Sequence, residues 1–199
     1  MCGVRMRPYY QDKWVTIYHG DCREILLQLE PVDLVLTDPP YPDQHLEYGS
    51  SDISFLNNLD CRQVIFWSAK AEFPLDYTAI HIWDKQVGVL SEYERIFERN
   101  GQANYKLFRG CTANNPVTAQ FQHDVFTGHP SQKSQQLINK LVVSFSKENN
   151  LILDPFLGSG TTCYCAKKLN RRCIGIEIEE KYCEMAARRC SQEVMELKI

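Results

Sequence analysis

Short apolar runs alternate with one-sided amphipathic segments along this 199-residue chain, and this alternation constrains the fold more than any other feature. Two of the runs, DLVLTD (33–38) and VIFWS (64–68), are almost continuously apolar, which is typical of strands covered on both faces. The other predicted strands are 15–18, 79–83, 94–99, 151–154 and 173–178.

The segments between and after these runs predict helices. Residues 132–146 place apolar side chains at 137, 138, 141, 142 and 145, which is the spacing of an amphipathic helix. The other predicted helices are DCREILLQL (21–29), TTCYCAKKL (161–169) and EKYCEMAARRCSQEV (180–194). Alternating strands and helices indicate an α/β layer fold, and we expect a doubly wound, mainly parallel sheet of seven strands.

Composition narrows the class of protein. The length predicts one domain over 1–199, with 44% apolar and 24% charged residues, as in ordinary globular proteins. No unbroken apolar run reaches the roughly 18 residues of a membrane span, and the N-terminus has no secretory apolar core, so we expect a cytoplasmic protein without membrane contact. The net charge of −3 provides no global basic field, although it leaves room for a local basic patch.

The nine cysteines and five histidines do not form a recognisable metal or disulfide pattern. The cysteine count is odd, the positions are scattered, and no two pairs have zinc-ligand spacing. We therefore expect reduced, buried thiols and no metal site.

The stretch LTDPPYP (36–42) ends a predicted strand with an acid, two prolines and an aromatic ring. Proline cannot donate to a sheet ladder, so Pro39 and Pro40 mark the place where the strand stops. Their fixed φ angles orient the backbone carbonyl of Pro39, next to Asp38. The aromatic ring of Tyr41 follows directly in the sequence. A simple turn that only ends the strand is the alternative interpretation.

The stretch LILDPFLGSGTT (151–162) follows a second strand with an acid, a glycine-rich turn and a helix start. Gly158 and Gly160 permit a tight turn, and the N–H groups of the new helix favour a polar or anionic ligand. Glu177 follows nineteen residues after Gly158, at the end of the next strand, and suits the two hydroxyls of a ribose. The turn lacks the third glycine of a dinucleotide site and the Gly-Lys of a P-loop, so a different nucleotide-like ligand is indicated.

Asp38 and Asp154 each end a predicted strand, so a parallel sheet would bring both to one edge. Together, DPPY (38–41) and DPFLGSGTT (154–162) resemble the S-adenosylmethionine-dependent amino-methyltransferases of DNA, which methylate N6 of adenine or N4 of cytosine. The motif order is that of the family's beta group, and HPSQKS (129–134) and GDCREIL (20–26) are similar to further family elements. The resemblance implies a circularly permuted, Rossmann-like methyltransferase fold.

The resemblance also implies roles for individual residues. Asp38, Pro39, Pro40 and Tyr41 would be catalytic: Asp38 and the Pro39 carbonyl would accept hydrogen bonds from the target amine, and Tyr41 would stack on a flipped-out base. Asp154 and Phe156 would contact the methionine part and rings of S-adenosylmethionine, Glu177 its ribose, and Lys133 its carboxylate, with an exposed helix-start lysine as the alternative. The remaining cofactor-binding residues would be Asp21 and Cys22 at the adenine, with Gly158, Ser159, Gly160, Thr161 and Thr162 along the turn.

The length of the chain departs from the family pattern. Only the short, loop-rich segment 100–128 is available where family members usually carry a target-recognition region. Either this segment reads a short DNA sequence, or a second subunit contributes, or specificity is low; the family often dimerises, so a homodimer is one expectation. Arg95, Arg99, Lys106 and Arg109 are candidates for a phosphate-binding stripe, with a solvated strand edge as the alternative.

We expect an adenine-N6 DNA methyltransferase, because Asp-Pro-Pro-Tyr is more typical of that chemistry than Ser-Pro-Pro-Tyr. Three alternatives remain open at this point. They are cytosine-N4 methylation, a methyltransferase-fold subunit that needs a partner to bind its target, and an RNA or protein-glutamine amine as substrate. Restriction-modification is the setting that the family suggests.

Overall fold

A computed structural model of the chain describes residues 6–43, 52–85, 92–110 and 132–192. These residues form one nine-stranded sheet with helices on it. The strands are β1 Tyr10–Gln11, β2 Val15–His19, β3 Leu34–Thr37, β4 Arg62–Trp67, β5 Ala79–Asp84, β6 Tyr93–Arg99, β7 Leu107–Arg109, β8 Leu151–Asp154 and β9 Arg172–Glu177. The helices are α1 Cys22–Ile25, α2 Gln135–Phe145, α3 Thr161–Lys168 and α4 Glu180–Ser191, with 3₁₀ turns at Leu26–Gln28 and Ser54–Asn58.

The strand order is β1-β2-β9-β8-β3-β4-β6-β5-β7. Strands β2, β9, β8, β3 and β4 run parallel, whereas β6 is antiparallel to both of its neighbours. All seven predicted strands are present, and the α/β, mainly parallel architecture is confirmed. The two strands that were not predicted from the sequence, β1 and β7, lie at the sheet edges and have only two and three residues, too few for an apolar period to show.

Both faces of the sheet are covered, as the doubly wound prediction requires. Arg62 and Gln63 are neighbours on β4 and therefore point to opposite faces. Arg62 lies over the ring of Phe145 in α2, whereas the Gln63 amide donates to the Leu56 and Leu59 carbonyls at the Ser54–Asn58 turn. Helices α2, α3 and α4 pack successively against one another on the first of these faces.

Each predicted helix is present, but some of the helices begin or end at other residues than predicted. The predicted helix 132–146 begins at Gln135, and its apolar stripe from Leu137 to Phe145 is buried. The predicted helix 21–29 is a single α-turn followed by a 3₁₀ turn, and Pro31 lies just beyond it. The sequence of α4 places Cys183 and Cys190 on one face, and both are fully buried.

Several predictions fall wholly or partly outside the described residues. They are the segment 111–128 and most of the HPSQKS element, of which 132–134 are described. Across the described ranges, no helix is long and apolar enough to cross a membrane. Six of the seven cysteines described there are buried and all seven are free thiols, as predicted.

Candidate active site

Four acidic residues follow one another along the edge of the sheet where the parallel strands end. The order β2-β9-β8-β3 brings Asp21, Glu177, Asp154 and Asp38 to the carboxyl ends of adjacent strands. Three strand spacings separate the first from the last, which is about 14 Å. The chain leaves β8 towards β9 and leaves β3 towards β4, so Asp154 and Asp38 flank the point where strand order reverses, the usual ligand crevice of such sheets.

Asp154 is joined directly to the strand that carries Asp38. The Thr37 hydroxyl donates to Asp154 Oδ1 at 2.7 Å, and the Phe156 N–H donates to the same oxygen at 3.2 Å. Burial raises the pKa of Asp154 to about 6, against hydrogen bonds from Thr37 and Thr162 that lower it. The two sequence motifs therefore meet through one buried hydrogen bond.

The glycine turn has the backbone that its sequence predicts. Gly158 and Gly160 adopt positive φ angles of 53° and 79°, which favour glycine. A Cβ on Gly160 would lie 2.7 Å from the Ala186 Cβ, so α4 packs directly on the turn.

The hydroxyl side chains of the turn face the interior. Ser159, Thr161 and Thr162 are each at most 6% exposed. Arg189 on α4 donates to the Thr161 hydroxyl at 2.8 Å. Arg189 is itself buried, and no sequence pattern indicated that it would support the turn.

Glu177 is held in place by two backbone N–H groups. Gly158 donates to Oε2 at 2.8 Å and Glu179 donates to Oε1 at 2.9 Å. Burial raises the pKa of Glu177 despite these hydrogen bonds. The carboxylate is therefore fixed beside the glycine turn, and each oxygen has a further lone pair for a hydroxyl donor.

The other proposed cofactor contacts follow the ends of the two strands that neighbour β9. Asp21 caps α1 by accepting from the Arg23 N–H at 2.8 Å and also pairs with the Arg23 side chain. The neighbouring Cys22 is 8% exposed, and burial raises its pKa to about 11. Phe156 is half-buried, with its ring centroid 6.0 Å from that of Phe55.

The Asp-Pro-Pro-Tyr loop begins directly after β3. The Tyr41 hydroxyl donates to Asp38 Oδ1 at 2.5 Å, and its ring lies 5.7 Å from that of Trp67. Pro39 is buried and Pro40 half-buried. Because Tyr41 is only 5% exposed, its stacking on a base stays a prediction and would require the ring to move outward.

Lys133 pairs with the proposed catalytic acid. Its ammonium lies 2.7 Å from Asp38 Oδ2 and 3.2 Å from Glu94 Oε2, while Lys85 lies 2.8 Å from Glu94 Oε1. The Lys133 side chain is 13% exposed, so it is not an exposed helix-start lysine, and its contact with a cofactor carboxylate stays a prediction. Glu94 and Lys85 were not predicted as site residues, although Glu94 stands in the predicted strand 94–99.

The charges in this cluster determine its ionisation. Burial raises the pKa of Asp38, and the Lys133 ammonium opposes this while the Glu94 carboxylate adds to it. Burial acts to lower the pKa of Lys133, but the carboxylates of Asp38 and Glu94 outweigh it and the pKa is raised. Burial likewise acts against an ionised Glu94, yet Lys133 and Lys85 hold its pKa below the ordinary value. Lys133 therefore carries its charge between two carboxylates.

The predicted basic stripe is wrong for two of its members. Arg95 donates to the carbonyls of Ser68 and Ala71. Arg99 is 9% exposed and donates to the Asp76 carbonyl at 2.6 Å and to Gln63 at 2.7 Å. Both guanidinium groups therefore bind oxygens of the protein itself and are not presented to a phosphate backbone. In the described ranges, no group of three or more His, Cys, Asp and Glu side chains is placed to hold a metal ion.

Solved structures share this fold. The chain superposes on the cytosine-N4-specific PvuII DNA methyltransferase with a TM-score of 0.69 and 15% identity, over 96% of this chain and 91% of that one. It superposes on the M1.HpyAVI–SAM complex with a TM-score of 0.62 and 23% identity, over 88% and 99% of the two chains. The fold is that of the Rossmann-like methyltransferases.

The sequence identifies the family within this class. A family model described as DNA methylase, for the N6 and N4 enzymes, matches residues 62–188. The chain belongs to this DNA methylase family, whose methyl donor is S-adenosylmethionine. The matched span includes the glycine turn, Glu177, Lys133 and Glu94, while the Asp-Pro-Pro-Tyr loop precedes it.

Curated relatives match over different lengths. The type II methyltransferase M2.DpnII of Streptococcus pneumoniae is 46% identical over 65 residues, which are 33% of this chain and 24% of the relative. The chain thus aligns with about a quarter of that relative's length. The type II methyltransferase M.ScaI of Streptomyces caespitosus is 26% identical over 96% of this chain and 86% of the relative. That alignment runs to 265 positions against a chain of 199 residues, so M.ScaI contains insertions that this chain lacks.

Proposed function

We propose that this chain transfers a methyl group from S-adenosylmethionine to the exocyclic N6 of an adenine flipped out of DNA. The observation that carries the proposal is the hydrogen bond from Thr37 to Asp154. It joins the strand end that leads into the glycine turn to the strand end that presents Asp38. A methyl donor held at the turn and an amine held at Asp38 would share one crevice.

The residues at the crevice suit the proposed cofactor. Glu177 is a fixed carboxylate that can accept from ribose hydroxyls, and the N-terminus of α3 favours a carboxylate group. Asp21 and Cys22 lie on the far side of Glu177, at the end of β2, where an adenine would complete the row. S-adenosylmethionine would supply a methyl group on a sulfonium, which the amine nitrogen can attack directly.

The proposed role of Asp38 and Pro39 is to activate the amine. The lone pair of an exocyclic amine is delocalised into its ring, which makes the nitrogen a weak nucleophile. Two acceptors, the Asp38 carboxylate and the Pro39 carbonyl, would bind its two N–H groups and favour tetrahedral geometry. The nitrogen would then bond to the methyl carbon as the bond from that carbon to the sulfonium sulfur breaks, which would leave S-adenosylhomocysteine as a neutral thioether. The methylated nitrogen would lose one proton to water. Since Pro39 has a fixed φ, little ordering is needed during the reaction.

The first experiment is mass spectrometry of nucleosides from DNA of a methylation-deficient bacterial host that expresses the chain. We expect new N6-methyladenine with the wild type and at least about a hundredfold less with Asp38→Asn, since one positioned acceptor is lost. Equal affinity of both proteins for S-adenosylmethionine would show that the variant is folded. New N4-methylcytosine would keep the mechanism and change the base. Full methylation by Asp38→Asn would contradict the proposed mechanism.

The target-recognition region is short, so the proposal extends to the assembly. We propose a single domain over 1–199 that recognises a short DNA sequence, as a homodimer or with a second subunit. Cofactor binding without methylation by the pure chain would point to a missing partner or to an RNA substrate. Light scattering of the pure protein, alone and with unmethylated DNA, measures which assembly forms.

A further inference from the structure

The Lys133 ammonium occupies the acceptor that the proposed chemistry needs. It lies 2.7 Å from Asp38 Oδ2, and the Tyr41 hydroxyl occupies the other oxygen, Oδ1. An ammonium and an exocyclic amine are both N–H donors, so they would compete for the same carboxylate. Each oxygen keeps a second lone pair, but an amine that takes the position of either donor must displace Lys133 or Tyr41.

Glu94 gives the ammonium a second position. Its Oε2 is 3.2 Å from the Lys133 Nζ, and its side chain is 14% exposed. Beneath the ammonium lie the rings of Phe66 and Trp83, with centroids at 5.0 and 5.9 Å. An ammonium is stabilised over an aromatic face, so the Lys133 ammonium can move a small distance over these rings and remain stabilised.

We propose that Lys133 is a counter-ion that the target amine displaces from Asp38, and that Glu94 is the positioning residue that retains the displaced ammonium nearby. This inference rests on the proposed function and extends it. Asp38 is the catalytic residue in this arrangement, and Glu94 acts through Lys133.

A Lys133 ammonium that stays near Asp38 keeps the Asp38 carboxylate ionised. A buried carboxylate that loses its cation tends to take up a proton, and a protonated Asp38 could donate through that oxygen where it should accept. With Lys133 held at Glu94, a positive charge stays close while the oxygen is free for the amine. The charged and titratable groups around Asp38 are Lys133 before α2, Glu94 on β6, Lys85 behind Glu94, Tyr41 in its own loop and Asp154 on β8.

The test compares Glu94→Gln with Glu92→Gln, a matched control on the same side of β6. The Glu92 side chain is 72% exposed, and its carboxylate lies as far as 4.0 Å from the Lys85 ammonium. Its replacement therefore leaves the Lys133 pairs intact. With unmethylated genomic DNA as substrate, we expect Glu94→Gln to lower kcat about 10- to 100-fold. The affinity for S-adenosylmethionine should change less than about twofold, and Glu94→Asp should recover part of the rate. A kcat for Glu94→Gln equal to that of Glu92→Gln would overturn the inference.

A double variant separates positioning from a structural role. Lys133→Gln alone should slow methylation and move the acidic limb of the pH–rate profile to higher pH, since the Lys133 charge lowers the pKa of Asp38. If Glu94 acts through Lys133, adding Glu94→Gln to Lys133→Gln should cost no further rate. If the rate of the double variant is reduced by the product of the two single reductions, Glu94 acts independently of Lys133 and the inference is wrong.

A measurement without turnover keeps this inference distinct from the proposed function. Nuclear magnetic resonance of ¹³C-methylated lysines should show the Lys133 pKa above the ordinary 10.5 in the wild type, because Asp38 and Glu94 outweigh burial. The Lys133 pKa should fall in Glu94→Gln and stay unchanged in Glu92→Gln. A wild type that neither binds S-adenosylmethionine nor methylates DNA would refute the proposed function, and an unchanged Lys133 pKa in Glu94→Gln would refute this inference.

Discussion

Asp154 combines two roles at the scale of the single residue: it links the two motifs, and it is a buried acid. Only 3% of the residue is exposed, and its hydrogen bonds from Thr37, Phe156 and Thr162 do not offset burial. The folded protein therefore holds the Asp154 proton up to about pH 6, whereas the unfolded chain releases it near 3.8. Ionised Asp154 consequently opposes folding above that range.

This difference predicts a pH-dependent effect of Asp154→Asn. Between about pH 4 and pH 6 the folded state binds more protons at this site, so the wild type loses stability relative to the variant as pH rises. The difference in unfolding free energy should change by about 3 kcal/mol and level off near pH 7. Urea unfolding of both proteins from pH 4 to pH 8 measures it. A difference that does not vary with pH would contradict the burial argument.

Asp12 offers a control of opposite sign. Burial acts to raise its pKa, but Lys167 and the N–H groups of Trp14 and Val15 outweigh it and lower the pKa. Its contribution to stability is therefore present above the unfolded pKa and lost as pH falls. Relative to Asp12→Asn, the wild type should lose stability towards acid, the reverse of the Asp154→Asn comparison.

The acids of the site were predictable from the sequence, but their partners were not. Asp38, Asp154 and Glu177 follow apolar runs directly, so their places at strand ends could be derived from local pattern. The pair between Lys133 and Glu94 depends on which face of β6 meets the segment before α2, and no local signal contains that information. Arg99 was misread for the same reason: its carbonyl partner at Asp76 is distant in sequence.

At the scale of elements, the glycine turn couples the cofactor crevice to the last helix. Gly160 has φ +79°, and a Cβ added to it would lie 2.9 Å from the Ala186 Cα. A side chain there would be strained in its backbone and would also push α4 away from α3. The turn is therefore held by packing as well as by its own sequence.

We expect Gly160→Ala to lower the unfolding free energy by about 2–4 kcal/mol, from left-handed strain and overpacking together. Its affinity for S-adenosylmethionine should also fall. In the double variant Gly160→Ala/Ala186→Gly, removal of the Ala186 Cβ relieves the 2.7 Å contact and should restore part of the stability. Urea unfolding of the wild type, both single variants and the double variant measures this. If Gly160→Ala lowers stability as much in the Ala186→Gly background as in the wild type, the Ala186 Cβ contributes little to the loss.

Element types were more predictable than element ends. The strands β3 and β8 are short apolar runs closed by Asp-Pro, so their ends were evident from the sequence. The length of helix α1 was overestimated. The four residues after Ile25 in the predicted helix have a helical composition, but they form a 3₁₀ turn and its cap. The edge strand β7 forms by pairing with β5, and its three residues carry no period of their own.

At the scale of the whole molecule, buried thiols lie between the sheet and the helices that cover it, and they behave as small apolar groups. Cys163 and Cys173 lie with their sulfurs 2.9 Å apart between α3 and β9, and Cys190 joins them from α4. Burial raises the pKa of all three thiols. Neither low pKa nor exposure favours the reactive thiolate at these positions.

Alkylation of these thiols should therefore report unfolding of the whole sheet. Among the seven cysteines that the structure describes, native protein treated with iodoacetamide and mapped by mass spectrometry should label half-buried Cys61 first. Cys163 and Cys173 should be labelled only at the rate set by global opening. That protection should be at least about 10³-fold and should decline with urea in step with the unfolding free energy. Fast labelling of Cys163 would show that α3 opens locally, and this result would contradict a sheet that opens only as one unit.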